Sequence, residues 1–180
     1  MKGIVFTEFL DLVEDKFGLK MVDDIITSSD LPSGGAYTAI GTYDFGEMHQ
    51  LITHLSAKTD IPINDLLLIY GEHFFSVIEK KYPAMLKQYN DPIEMLASIE
   101  NHIHVEVRKI YHDAELPKFD VLEQTSHSLK MIYTSSRAMH SFGLGLMNST
   151  FKYFRKDCKI DCEPLKDDGT EVEFSITMIK

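Results

Sequence analysis

Basic residues are the first scarcity in this 180-residue chain: 18 Lys and Arg stand against 28 Asp and Glu, a net charge of −10. A surface of that sign repels nucleic-acid phosphates and anionic bilayers unless a basic patch overrides it, and no basic run occurs. Neither nucleic acid nor membrane is therefore an expected partner. Cysteine is nearly absent as well. Cys158 and Cys162 are too few for a disulfide framework, and four residues of strand would hold their Cα atoms ~13 Å apart, beyond disulfide reach. A reducing cytoplasm suits that usage. Long apolar runs are missing too. The opening "MKGIVFTEFLDLVEDKFG" is interrupted by Glu8, Asp11, Glu14 and Asp15, which leaves no secretory core, and no stretch is long enough to span a bilayer. Repeats and low-complexity linkers are also lacking.

What is present is an ordinary globular composition, 44% hydrophobic, with length enough for one domain and a real core. Residues 2–18 carry Ile4, Phe6, Phe9, Leu10, Leu12, Val13 and Phe17 at helical spacing, and Gly18 ends the stripe. Helical patterns recur at 20–28, 44–58 and 64–82, around a Ser-, Gly- and Pro-rich loop, "SSDLPSGGAYT". Asp91-Pro92-Ile93-Glu94 is a helix start with a mechanism, a capping Asp, Pro in the first turn and Glu three after the cap, and the helix is predicted to run to about His112. After "AELPKF" the period changes. Segments 119–124, 127–135, 156–163 and 171–179 read as strands, with a helix at 137–155 between the second and third. Helices followed by an antiparallel sheet make an α+β fold.

Two stretches carry chemistry. In "SLKMIYTSSRAMHSF" (128–142), Tyr133, Ser135 and Arg137 fall two apart. On a strand they project from one face, and a phenol, a hydroxyl and a guanidinium together want an anion. Taken alone, they also suit an ordinary strand end with a solvated Arg. The second stretch holds His102 and His104. On a helix that spacing is about 200° of rotation, so the two rings diverge and do not chelate one metal. His102 pairs by spacing with Glu106, while His104 shares its side with Ala97, Asn101, Arg108 and Tyr111.

"IHVEVRKIYHDAELPKF" together with "YTSSR" resembles the heme-nitric oxide/oxygen-binding family, H-NOX. The family's helical His, the Tyr seven residues on and the Pro beyond it match His104, Tyr111 and Pro117, and Y-x-S-x-R is complete as Tyr133, Ser135 and Arg137. His112 departs from the pattern, since many members have Pro there. The resemblance covers essentially the whole chain and implies one heme-binding sensor domain over 1–180, with a helical distal subdomain (about 1–62), a proximal subdomain (63–180) holding a four-stranded antiparallel sheet, and heme b (iron protoporphyrin IX) between them. It implies His104 as the sole protein ligand to iron and Tyr133, Ser135 and Arg137 as donors to the propionates. Pro117 is expected to bend the heme, and Val5, Phe9, Phe74 and Phe142 to form a distal pocket with no hydrogen-bond donor. His73 and His140 are placed outside that pocket. A pocket of that kind favours nitric oxide, and also carbon monoxide, over dioxygen. Nitric oxide opposite His104 would weaken the iron–His104 bond and let the subdomains rotate. The implied role is a cytoplasmic sensor that regulates a partner in trans, a sensor histidine kinase or a cyclic-di-GMP synthase or phosphodiesterase. The alternative is a nitric oxide or heme carrier without signalling output. An enzyme such as a peroxidase would need distal acid–base groups, which three phenylalanines do not supply.

Overall fold

The computed structural model describes residues 1–179. Helix α1 (Gly3–Phe17) runs into α2 (Leu19–Thr27) through Gly18, whose φ of 84° only glycine adopts readily. Helices α3 (Phe45–Thr59) and α4 (Ile63–Lys81) complete the first layer. Their apolar stripes converge on one core containing Phe6, Phe9, Ile25, Leu51, Leu55 and Tyr70. The Ser- and Gly-rich loop lies over this core. It is pinned by the buried carboxylate of Glu47, which accepts from Ser33 and from Tyr37 (2.9 Å), and burial pushes the Tyr37 phenol up to about 12.

A four-residue helix, α5 (Pro83–Leu86), precedes the segment that the sequence reads as a single helix to His112. That segment is broken. α6 (Pro92–Ala97) is capped as expected, Asp91 accepting from the amides of Ile93 and Glu94 at 2.8 and 3.2 Å. The helix then widens into a π-helical stretch (Ile99–Ile103) before α7 (His104–Ile110). Ser98 is the physical reason. Its hydroxyl bonds to the Met95 carbonyl (2.8 Å) and to Tyr89 (2.6 Å), and its own carbonyl takes the amides of both His102 and Ile103. The extra residue in the turn rotates α7 by about 100° relative to a regular continuation of α6. Spacing counted across the break, as from Ala97 to His104, therefore does not give a shared face, whereas Arg108 still follows His104 by one regular turn of α7.

Strands β1 (Lys118–Gln124), β2 (Ser128–Thr134), β3 (Asp157–Pro164) and β4 (Glu171–Ile179) form one antiparallel sheet in the order β1-β2-β4-β3. Alternate residues of β2 and β4 (Leu129, Met131, Tyr133, Val172, Phe174 and Ile176) face a second core with Met147 and Phe151 of α8 (His140–Tyr153). Cys158 and Cys162 are free thiols along β3. No helix among the described residues is long and apolar enough to cross a membrane.

Helices α4 and α8 cross at glycines. A Cβ on Gly145 would stand 2.2 Å from the Leu68 carbonyl oxygen, and one on Gly71 2.1 Å from that of Phe142. The contact brings Phe142 next to Tyr70 and Phe74 of α4, with ring centroids 5.0 and 5.6 Å away. Gly145→Ala is expected to cost about 1–3 kcal/mol through overpacking against backbone, read as a lower urea midpoint at unchanged m-value. An unchanged midpoint would mean that α8 tilts freely enough to absorb a methyl group.

Candidate functional site

Between the two cores lies a cavity of about 280 Å³, lined almost wholly by apolar side chains. Val5 comes from α1, Phe74 and Ile78 from α4, Phe142 and Leu146 from α8, Ile103 from the π-helical stretch, and Pro117 and Phe119 from the approach to β1. Polar side chains are the minority: His104, and Lys2, Tyr82, Glu115, Tyr133, Ser135, Arg137 and Thr150.

His104 is 7% exposed. Its Nδ1 lies 3.0 Å from the Glu100 carboxylate, which makes Nδ1 the protonated nitrogen and leaves Nε2 with no hydrogen bond among the described residues. Burial lowers the His104 pKa, an effect that Glu100 opposes without reversing. The ring is thus held neutral with a free lone pair. His102 goes elsewhere, bonded to Tyr89 through Nδ1 with Nε2 4.0 Å from Glu106, so the two rings do diverge.

The donor triad is assembled differently from the strand-face expectation. β2 stops at Thr134, and Ser135 and Arg137 lie in the turn beyond it, where Ala138 takes φ 49°. The turn wins because the Ser135 amide bonds to the Thr170 carbonyl at 2.8 Å, and the Ser135 hydroxyl accepts from the Arg137 amide at 3.2 Å. All three side chains still line the cavity. The Tyr133 hydroxyl accepts from the Met139 amide at 3.0 Å, and burial, the largest influence, raises its pKa. The Arg137 guanidinium grips Glu115, at 2.5 Å to the carboxylate and 2.7 Å to the main-chain carbonyl. Glu115 is the anion on the clamp here, and its side chain is 82% exposed.

Among the aromatic positions, Phe74 and Phe142 are on the cavity wall with Val5, while Phe9 stands one layer back, edge-on to Tyr70. His73 and His140 lie off the wall. His73 Nε2 is 3.9 Å from Glu8, His140 sits beside Gly169, and each ring has one buried nitrogen without a hydrogen bond. Sequence reasoning missed three residues. Tyr70 is fully buried among Phe9, Phe74 and Phe142, and its one hydroxyl proton goes to the Val5 carbonyl. Glu100 had a usable signal, standing four residues before His104. Glu115 had none, since only the tertiary fold brings it to Arg137.

Among the described residues, no group of three or more His, Cys, Asp or Glu is arranged to hold a bare metal ion. One neutral imidazole, a deep apolar cavity and a cationic, hydroxyl-bearing clamp instead fit a metal whose other ligands come from a flat macrocycle bearing carboxylates. Fold and site thus define a pocket domain of the heme-binding class. Residues 2–162 match the family described as Haem-NO-binding. An H-NOX protein from K. algicida, solved unliganded as Fe(II), is 68% identical, with 100% of this chain and 97% of that one covered at a TM-score of 0.99. The S. woodyi H-NOX, solved in the Fe(II)CO state, is 36% identical over 99% of this chain and 95% of that one, with a TM-score of 0.83. The S. oneidensis H-NOX in the Fe(II)NO state is 20% identical over 100% of both chains at a TM-score of 0.91, a likeness of fold. No curated protein matches. The chain belongs to the Haem-NO-binding, or H-NOX, family of heme-based gas sensors.

Proposed function

We propose that this chain is a cytoplasmic nitric oxide sensor built on ferrous heme b, that it discriminates against dioxygen, and that it regulates a signalling enzyme in trans, a sensor histidine kinase or a cyclic-di-GMP synthase or phosphodiesterase. Heme, when bound, supplies an iron that takes diatomic gases, carbon monoxide included. His104 holds that iron through Nε2, with Pro117 against the macrocycle. Tyr133, Ser135 and Arg137 hold the propionates, and Arg137 exchanges the Glu115 carboxylate for one of them. Residues 1–62 serve as the distal subdomain and 63–180 as the proximal one.

The observation that carries the gas preference is the commitment of Tyr70. Val5, Phe74 and Phe142 offer no donor, and the phenol packed behind Phe74 and Phe142, Tyr70, already gives its proton to a backbone carbonyl. A gas that needs a hydrogen bond is disfavoured, and one that does not is taken. The test is the visible spectrum of the ferrous protein. It is expected to be unchanged by air and to shift on adding a nitric oxide donor or carbon monoxide. A partner kinase or cyclic-di-GMP enzyme whose activity is the same with and without nitric oxide would return the chain to the carrier reading.

The clamp makes its own prediction. Arg137→Ala removes a charged donor worth about 1.5–3 kcal/mol, so heme transfer to an apo-acceptor is expected to be ~10–100-fold faster. An unchanged transfer rate would leave Arg137 as the partner of Glu115 alone.

A further inference from the structure

One carboxylate oxygen behind His104 has two jobs. Glu100 Oε1 accepts from His104 Nδ1 at 3.0 Å and from the Phe119 amide at 2.9 Å. Phe119 lies at the start of β1, its ring is 6.1 Å from that of His104, and its partner across the β1–β2 ladder is Tyr133 of the clamp. Glu100 itself sits in the π-helical stretch, one turn before the helix that His104 begins.

We propose that Glu100 is the positioning residue for His104 and the link by which His104 is tied to the β1–β2 strand pair. The inference rests on the reading of His104 as the iron ligand. An acceptor-only carboxylate on Nδ1 selects one tautomer, orients the ring toward the cavity and raises electron density at Nε2, so the ligand binds a metal more strongly than a free imidazole does. Because the same oxygen holds the Phe119 amide, a displacement of His104 strains a bond into β1. Movement of the ring is thereby felt by the edge strand of the sheet, whose Val121 and Leu122 are exposed.

Two variants separate charge from shape. Glu100→Gln keeps a carbonyl oxygen for both donors and loses the negative charge, while Glu100→Ala loses the acceptor. In the heme-loaded ferrous protein, the iron–histidine stretching frequency by resonance Raman is expected to fall and the midpoint potential to rise in both. Heme release is expected to quicken by ~10–100-fold in Glu100→Ala. Hydrogen exchange at the Phe119 amide is expected to quicken in Glu100→Ala and to stay slow in Glu100→Gln. The proposal is overturned if the stretching frequency stays at the unmodified value in both variants, or if it moves in Glu100→Ala alone, since a merely space-filling side chain gives that second result. It is overturned too if Phe119 exchange is indifferent to both. His104→Gly is measured alongside. Heme retained by that variant defeats the ligand reading itself, whereas heme lost there, with the Glu100 variants unmoved, defeats only the role given to Glu100.

Discussion

His104→Gly is expected to purify without heme from cells that load the unmodified protein, and to regain it when imidazole is supplied in the medium. The reasoning is one of inventory. Lys2, Tyr82, Glu115, Tyr133, Ser135, Arg137 and Thr150 are the other polar side chains on the cavity wall, and His104 is the one imidazole there among the described residues. His102, two residues earlier, is bonded to Tyr89 and close to Glu106. His73 and His140 are off the wall. Removing the ring also leaves space that free imidazole fills, which makes rescue the stronger half of the test. His102→Ala is expected to retain heme, with some loss of stability because the Tyr89–Ser98 pair that shapes the π-helical stretch loses a partner. Heme measured by the Soret band against protein concentration decides it. A full complement in His104→Gly with none in His102→Ala would reverse the assignment of the two rings.

How far the sequence reaches depends on whether a feature is local. Helix spacing placed α1 to α4 within a residue or so of their observed bounds, and period-two patterns placed all four strands, because burial of one face is written into consecutive residues. The Asp91 cap is readable for the same reason, being a matter of four consecutive residues. The π-helical break is not. It arises where Ser98 bonds to Tyr89, nine residues away across a turn, and nothing in the run "ASIENHIH" marks it. The spacing of Tyr133, Ser135 and Arg137 singles them out, yet they do not come together as three side chains on one strand face. The chain leaves the sheet after Thr134, and the turn delivers Ser135 and Arg137 to the cavity. Glu115 and Tyr70 were invisible because their roles are set by partners 22 and 65 residues distant. Even the aromatic positions needed the fold: Phe9, Phe74 and Phe142 look equivalent in sequence, and Phe9 proves to stand behind Tyr70.

Phe142→Tyr is expected to raise the affinity for dioxygen by about tenfold or more while leaving nitric oxide binding nearly unchanged. A hydroxyl placed at the cavity wall supplies the donor that Val5, Phe74 and Phe142 lack, and a charge-assisted bond of about 1.5–3 kcal/mol corresponds to one to two decades. The ring is almost isosteric, so packing against Tyr70 and Phe74 should survive. The gain belongs at the lower end of that range, because an isolated hydroxyl needs a polar neighbour to orient it and the phenol packed against this ring is taken: Tyr70 is bonded to Val5. The companion variant Tyr70→Phe separates the two phenols. It removes one bond to the Val5 carbonyl, which stays in the ladder of α1, at a cost of about 0.5–1.5 kcal/mol in stability, and it is expected to leave the response to air unaltered. Spectra taken in air and under nitrogen, for the unmodified protein and both variants, read out the comparison. A spectrum that already responds to air in the unmodified protein, and stops doing so in Tyr70→Phe, would mean that the Tyr70 proton leaves Val5 for the gas. The apolar wall would then be selective only while Tyr70 holds its backbone bond.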